Sequence, residues 1–277
     1  VAEAREGVAL LRAGGFKIVL HWMPNLLGAS LESDREDFTR LWKEFSPDEI
    51  KIYPTQLLKD TGLYEVWKKG EYQPYTTEQL IQLIADIKLS IPRYCRVNRI
   101  IRDIPSGNVV EGNKRTSLRQ DIQRELSSRG EACNCIRCRE VKGQEIEVDS
   151  LELKDLVYSS NGCQEHFLSF DTQDDRLAGF GRLCLPGPGA ADPAIEELSG
   201  AALIREIHVY GESLPVGQEK EGAAQHAGLG TSLVQEAERI AFENGFNKIA
   251  VISAVGTREY YLDRGYQRGE LYLLKEL

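Results

Sequence analysis

Apolar residues spaced four apart mark the clearest helix in the chain. Leu229, Leu233, Ala237 and Ala241 share a stripe that Ile240 joins, and Gln235, Glu236, Glu238 and Arg239 take the polar side. Asn244-Gly245 ends the run. Upstream, residues 1–13 read as a helix stopped by Gly14-Gly15, and 16–20 as a short buried strand. Residues 34–45 are amphipathic, 49–54 strand-like, and 61–67 open another helix. Thr76-Thr77-Glu78 begins a longer one carrying Leu80, Ile81, Leu83 and Ile84, which stops before Pro92. This alternation predicts an α/β sheet or barrel. His21 and Asn25 follow the first strand, at the end where barrels carry their sites, so both are candidate site residues; a histidine bonded to a loop carbonyl is the plainer reading.

The texture changes after Gln144. Residues 165–170 and 176–185 read as strands, 186–200 as a loop, and 201–209 as a strand. A second loop, 211–224, leads to the first-described helix, followed by strand 248–254, a short helix at 257–262 and a last strand ending at Leu277. The expected division is 1–91, 92–145 and 146–277.

With 277 residues, 42% hydrophobic and 28% charged, the chain is globular and long enough for two domains. A net charge of −9 argues against a nucleic-acid partner, but the distribution reverses that reading. Residues 91–139 hold ten Arg and one Lys against five acids, a local +6 that leaves −15 elsewhere. Arg93, Arg96, Arg99 and Arg102 recur every third residue: a strand would send them to both faces, a helix would line them up. Lys114, Arg115 and Arg119 surround hydroxyl residues at an expected helix start, a composition suited to phosphate contacts as well as to an ordinary solvated face.

Three of the six cysteines crowd into Cys133-Asn134-Cys135-Ile136-Arg137-Cys138. That is metal spacing rather than a disulfide framework, and a closed zinc site needs a fourth ligand. Cys95 is the candidate, with Cys163 and His166 competing; buried free thiols are the alternative. No apolar run nears the ~18 residues of a membrane span, and no secretory signal pattern occurs, so no membrane partner and a cytoplasmic location are expected. Residue 1 falls inside a helix pattern, so the chain is expected to start mid-domain.

Gln225-His226-Ala227-Gly228-Leu229-Gly230-Thr231 is a glycine-containing turn running into a helix. Glycines admit close backbone approach, and the first helical turn offers N–H groups to an anion, so the stretch suits a pyrophosphate. An ordinary turn before a surface helix gives the same local pattern.

The succession of strand 201–209, this turn and helix, strand 248–254, a helix with Tyr260-Tyr261, and Gly265-Tyr266 resembles the GNAT acetyltransferases. Arg-Glu-Ile-His-Val-Tyr at 205–210, Gln-His-Ala-Gly-Leu-Gly at 225–230 and Gly-Thr-Arg-Glu-Tyr-Tyr at 256–261 resemble the Elongator catalytic subunit family. The first half is similar to the same family through His-Trp-Met-Pro-Asn-Leu at 21–26, Lys-Ile-Tyr-Pro-Thr at 51–55, Gly-Leu-Tyr at 62–64, Arg-Asp-Ile-Pro at 102–105 and Arg-Glu-Val at 139–141.

This resemblance implies an α/β chain: the C-terminal part of a radical SAM, partial TIM-like barrel, a linker, then a GNAT acyltransferase domain. It implies a tRNA-modifying enzyme that uses acetyl-CoA and a radical derived from S-adenosylmethionine to build a carboxymethyl group on carbon five of the wobble uridine, with CoA released by tRNA-dependent hydrolysis. The family's three-cysteine motif for a 4Fe-4S cluster does not occur in this sequence. The chain is therefore expected to be a fragment that binds acetyl-CoA and tRNA without cleaving S-adenosylmethionine. By the GNAT pattern, the backbone of Ile207, His208 and Val209 pairs with the pantetheine arm, and the N–H groups from Ala227 to Thr231 hold the pyrophosphate. Glu206, the nearest acid, is expected to position or activate a water or to bind the transferred group, a strand carboxylate paired with Arg205 or a loop being the alternative, and either Tyr260 or Tyr261 gives a proton to the CoA thiolate. The loops at 186–200 and 211–224 are expected to cover acetyl-CoA until RNA arrives. Arg93 to Arg119 would meet the anticodon stem-loop, and further Elongator subunits or a second copy are possible partners. A protein-lysine acetyltransferase and a non-catalytic tRNA-binding module are the rival readings.

Overall fold

The computed structural model describes residues 1–102, 104–142, 146–210 and 228–277. Its elements are α1 (Ala2–Ala13), β1 (Val19–Trp22), α2 (Leu31–Glu44), β2 (Glu49–Ile52), α3 (Gly62–Lys68), α4 (Thr77–Lys88), β3 (Arg96–Ile100), α5 (Leu118–Ser128) and α6 (Ile136–Arg139). There follow β4 (Glu152–Ser160), β5 (Cys163–Asp171), β6 (Leu177–Pro186), β7 (Ala202–Val209), α7 (Leu229–Glu243), β8 (Lys248–Val251), α8 (Arg258–Leu262), β9 (Gln267–Arg268) and β10 (Leu273–Glu276). Among the described residues, no helix is long and apolar enough to cross a membrane.

Two compact units form. One joins Val1–Ile18 to Arg139–Leu277; the other is Val19–Cys138. This grouping differs from the division expected at 91/92 and 145/146, because α1 and the residues after it pack with the C-terminal unit.

In Val19–Cys138, β1, β2 and β3 make a three-stranded sheet with parallel pairs, as the βα alternation predicts. The strand expected at 16–20 is displaced to Val19–Trp22, which takes His21 and Trp22 into the strand itself. Capping boxes start α2 (Ser30 with Ser33) and α4 (Thr76 with Gln79), and Thr61 caps α3. The apolar stripe of α4, with Leu80, Leu83, Ile84 and Ile87, is buried. Asn25 is spent on structure. It has a positive φ of 65°, its N–H donates to Asp34 at 2.8 Å, and its carbonyl accepts from the Tyr72 hydroxyl at 2.9 Å. Tyr75 adds a hydroxyl donor to Asp34 at 2.9 Å. Burial raises the Asp34 carboxyl despite these bonds and pushes the Tyr72 phenol up to about 12.

The other unit is built on a seven-stranded sheet in the order β4-β5-β6-β7-β8-β10-β9, antiparallel except for the β7–β8 pair. On one face, Leu233, Val234, Ala237, Ile240 and Ala241 of α7 pack with Leu168, Leu183, Leu185, Ala202 and Ile204. Strand alternation turns Glu165, Leu203 and Arg205 the other way. There the segment from α1 is tied down. Arg12 Nη1 lies 3.1 Å and Arg205 Nη2 2.9 Å from the Glu165 carboxylate, with all three side chains fully buried. Arg205 also donates to the Phe16 carbonyl at 3.0 Å, and the Tyr272 hydroxyl to the Gly14 carbonyl at 2.6 Å. Gly15 has φ 79°, and a Cβ there would sit 3.3 Å from Leu203. Long-range pairing of this kind leaves no local trace in the sequence, which is why α1 read as part of the first segment.

Candidate functional site

The register between β7 and β8 covers only Ala202–Ile204 against Ile249–Val251. β7 runs on to Val209, paired with β6, and its register with β6 shifts between Arg182 and Leu183. The two parallel strands therefore part at Ile204. Beyond that point lies a cavity of about 1020 Å³, lined among others by Lys17, Glu206, Ile207, Val209, Gly228, Gly230, Thr231, Tyr260 and Arg264. His208 alternates outward, is exposed, and stacks on Phe180 with ring centroids 5.6 Å apart.

Gly228 takes the left-handed conformation, φ 75°, at the N-cap of α7, so the first turn of that 15-residue helix opens at the cavity. Gly230 is small for a reason: a Cβ there would come within 3.0 Å of the Tyr260 hydroxyl. Gln225, His226, Ala227 and the loop at 211–224 lie outside the described residues. Arg264, which sequence reasoning missed, donates from Nη2 to the Thr231 hydroxyl at 2.6 Å and stacks its guanidinium 3.5 Å from the Tyr260 ring centroid.

The adjacent tyrosines occupy different environments. The Tyr260 hydroxyl is buried with no hydrogen-bond partner among the described residues. Tyr261 belongs to the α7-side core, only 7% exposed, and burial pushes its phenol up to about 12. Glu206 is held by two cations, Lys17 Nζ at 2.6 Å and Arg182 Nε at 2.9 Å. Burial acts to raise its carboxyl, yet the charges and hydrogen bonds of Arg182 and Lys17 outweigh it and hold the group below the ordinary value. Neither Lys17 nor Arg182 carries a local sequence signal that would have found it.

In the unit Val19–Cys138, the sulfur atoms of Cys133, Cys135 and Cys138 lie within 4.8 Å of one another. Cys95 is not in that group; its thiol sits 3.9 Å from the Arg96 carbonyl oxygen, while its own carbonyl accepts from the Ile136 N–H. Cys95 directly precedes β3, and its main chain joins the cysteine loop through that bond. Lys88, 2% exposed, places Nζ 3.7 Å from Cys138 Sγ. Burial works to discharge this lysine, and the three neighbouring sulfurs more than offset it. Hydrogen bonds from Cys133 and Cys138, with Lys88 nearby, pull the Cys135 thiol well below its ordinary value. Three close sulfurs, one of them readily ionised beside a buried ammonium, fit a thiophilic divalent metal and leave one position of a tetrahedral site to another donor. Of the rival fourth ligands, Cys163 is buried in the other sheet, and His166 Nδ1 is 2.8 Å from Asp155.

The arginine repeat lies on and around a strand, and a bulge changes its consequence. The β2–β3 register pairs Glu49 with Arg96 and Lys51 with Arg99, skipping Asn98. Arg96 and Arg99 thus share a face, opposite buried Val97 and Ile100. Arg99, Lys114 and Arg115 are exposed, and Arg93 and Arg96 half-buried. Arg115 reaches Asp121 at 3.5 Å. Arg119 is spent internally, donating to the Val97 and Asn98 carbonyls at 3.1 and 3.4 Å.

The Radical_SAM C-terminal domain family matches residues 47–128. The chain is 40% identical over 287 residues to a tRNA uridine(34) acetyltransferase of Dehalococcoides mccartyi, covering all of this chain and 61% of that protein. It is 40% identical over 280 residues to Elongator complex protein 3 of Danio rerio, covering 98% and 51%. The chain thus spans about half to three fifths of the length of these curated relatives. Among solved structures, archaeal Methanocaldococcus infernus Elp3 with an N-terminal deletion is similar with a TM-score of 0.91 and 37% identity, covering all of this chain and 67% of that one.

Proposed function

The chain belongs to the Elongator complex protein 3 family, and from that premise we propose that it is a tRNA-modifying acetyltransferase acting on the wobble uridine. The observation that carries this reading is the convergence of the parted β7 end, the α7 N-terminus and the Tyr260 hydroxyl on one cavity. Acetyl-CoA lies there with its pantetheine arm along Ile207, His208 and Val209 and its pyrophosphate on the N–H groups from Gly228 to Thr231. Arg264 adds a cation beside that anion. Tyr260 gives its proton to the departing CoA thiolate, while Tyr261 supports it from the core.

The acetyl carbon becomes the carboxymethyl carbon on C5 of the uridine, and CoA leaves by hydrolysis that tRNA triggers. S-adenosylmethionine with its iron–sulfur cluster would supply the radical in the family's full reaction. Arg93, Arg96, Arg99, Lys114 and Arg115 meet phosphates of the anticodon stem-loop, with Arg119 bracing β3 behind them. Zinc held by Cys133, Cys135 and Cys138 staples the same unit. A cytoplasmic location accords with that substrate.

Labelled acetyl-CoA tests the reading. Binding, followed by hydrolysis only when tRNA is added, supports it. Transfer of label to a lysine peptide supports a protein acetyltransferase instead, and binding of tRNA without any acetyl-CoA turnover supports a non-catalytic module.

A further inference from the structure

The cavity takes one of its side chains from far away in the sequence. Lys17 follows α1, yet it lines the same space as Glu206. The chain leading to it is anchored at two points, the Gly14 carbonyl accepting from Tyr272 and the Phe16 carbonyl from Arg205. From that support Nζ reaches Glu206 Oε1 at 2.6 Å. The second oxygen, Oε2, accepts from Arg182 Nε at 2.9 Å. The Arg182 guanidinium is itself seated 5.3 Å from the Phe167 and Phe180 ring centroids. One carboxylate is thus gripped through both oxygens, by an arginine that is 1% exposed and by a lysine that is 36% exposed at the cavity wall.

We propose that Lys17 is a positioning residue of the acetyl-transfer site, fixing the Glu206 carboxylate in the cavity as an ionised hydrogen-bond acceptor; this rests on the acetyl-CoA reading of that cavity. A carboxylate so held is a weak base. It orients an acceptor or a water by accepting a hydrogen bond, rather than by taking a proton outright. Lys17 does not touch the reacting atoms; it acts through Glu206. The groups that face Glu206 are Lys17 after α1, Arg182 on β6, and Arg205 beside it on β7, which is bound to Glu165 of β5; Tyr260 and Tyr261 of α8 and Arg264 stand along the same cavity. Removing the Lys17 charge leaves burial less opposed, so Glu206 takes up its proton at a higher pH.

The test compares wild type with Lys17→Met, Lys17→Gln and Lys17→Arg. Coenzyme A binding is measured by calorimetry, tRNA-triggered acetyl-CoA turnover is measured against pH, and the Glu206 carboxyl is titrated by carbon-13 NMR, assigned with Glu206→Gln. Coenzyme A binding within about threefold of wild type is expected for all three variants. In Lys17→Met and Lys17→Gln, the Glu206 titration and the acid limb of turnover both move up by about half a pH unit or more, and Lys17→Arg restores them. The Gln variant decides the matter if the Met variant does not fold. An unmoved titration, or turnover lowered equally at every pH, overturns the proposal alone. Failure of wild type to bind coenzyme A overturns the acetyl-CoA reading and this inference with it.

Discussion

The cavity at the parted end of β7 and the basic, cysteine-bearing unit Val19–Cys138 use their residues in opposite ways. The cavity is built from backbone: a strand that outruns its parallel neighbour, a left-handed glycine, and a helix that starts where the strands part. Where side chains take part they are held by defined neighbours, Glu206 by Lys17 and Arg182 and Arg264 by Thr231 and the Tyr260 ring. The basic unit relies on side-chain charge, and much of that charge is consumed inside. Arg119 and Arg137 donate to β3 carbonyls, Arg129 bonds Asp86 and Glu125, and Arg115 and Arg124 share Asp121. A local charge of +6 therefore overstates what an RNA would meet. Sites made of backbone geometry keep their full strength when read from sequence order, whereas sites made of charge must be discounted for every internal pair.

The largest effect should come from the support beneath the cavity. Glu165→Ala leaves Arg12 and Arg205 buried without their carboxylate and should cost about 3–5 kcal/mol in chemical denaturation, since breaking a buried ion cluster strands the remaining charges. A cost under ~1 kcal/mol would mean that α1 is not anchored through this triad. Next, Cys135→Ser should abolish stoichiometric zinc in elemental analysis and lower Tm by ~6–12 °C, for a loss of ~3 kcal/mol. Full zinc content in that variant would show that the three sulfurs are not the site.

Gly230→Ala should separate binding from stability. The added Cβ meets the Tyr260 hydroxyl, so coenzyme A binding should weaken about tenfold, ~1.4 kcal/mol by calorimetry. Folding should change little, because alanine is the better helix former. The smallest effect belongs to single surface arginines. Arg99→Ala should reduce the salt slope of tRNA binding by about 1, whereas Arg119→Ala should leave the slope unchanged and lower stability. Equal slopes for both variants would remove the distinction between surface and internal arginines.

Much of this was legible in the chain. The α7 stripe, the glycine turn before it, and the order of strands and helices around it follow from local spacing, and the motifs at 205–210, 225–230 and 256–261 tied that order to a family. What was not legible depends on register or on distance. The skipped Asn98 puts Arg96 and Arg99 on one face where strand alternation alone would separate them, and no residue type announces that bulge. Lys17 and Arg182 enter the site by crossing the fold rather than by lying near its motifs, and Arg264, just past the motif at 256–261, carries no sign in the sequence that it reaches across to Thr231. Tyr260 and Tyr261 are chemically identical in sequence, and only burial separates the cavity phenol from the core phenol. Cys95 looked suitable because its neighbours lead into the cysteine-bearing region, and there its carbonyl accepts from the Ile136 N–H while its sulfur is not grouped with the other three.

The most direct test of the account is hydrogen–deuterium exchange of the protein with and without coenzyme A. Slowed exchange confined to peptides covering β7 from Ile207 to Val209 and the start of α7 from Gly228 to Thr231 is the predicted result. Protection that appears within Val19–Cys138 instead, or none at either segment while coenzyme A binds, would contradict it.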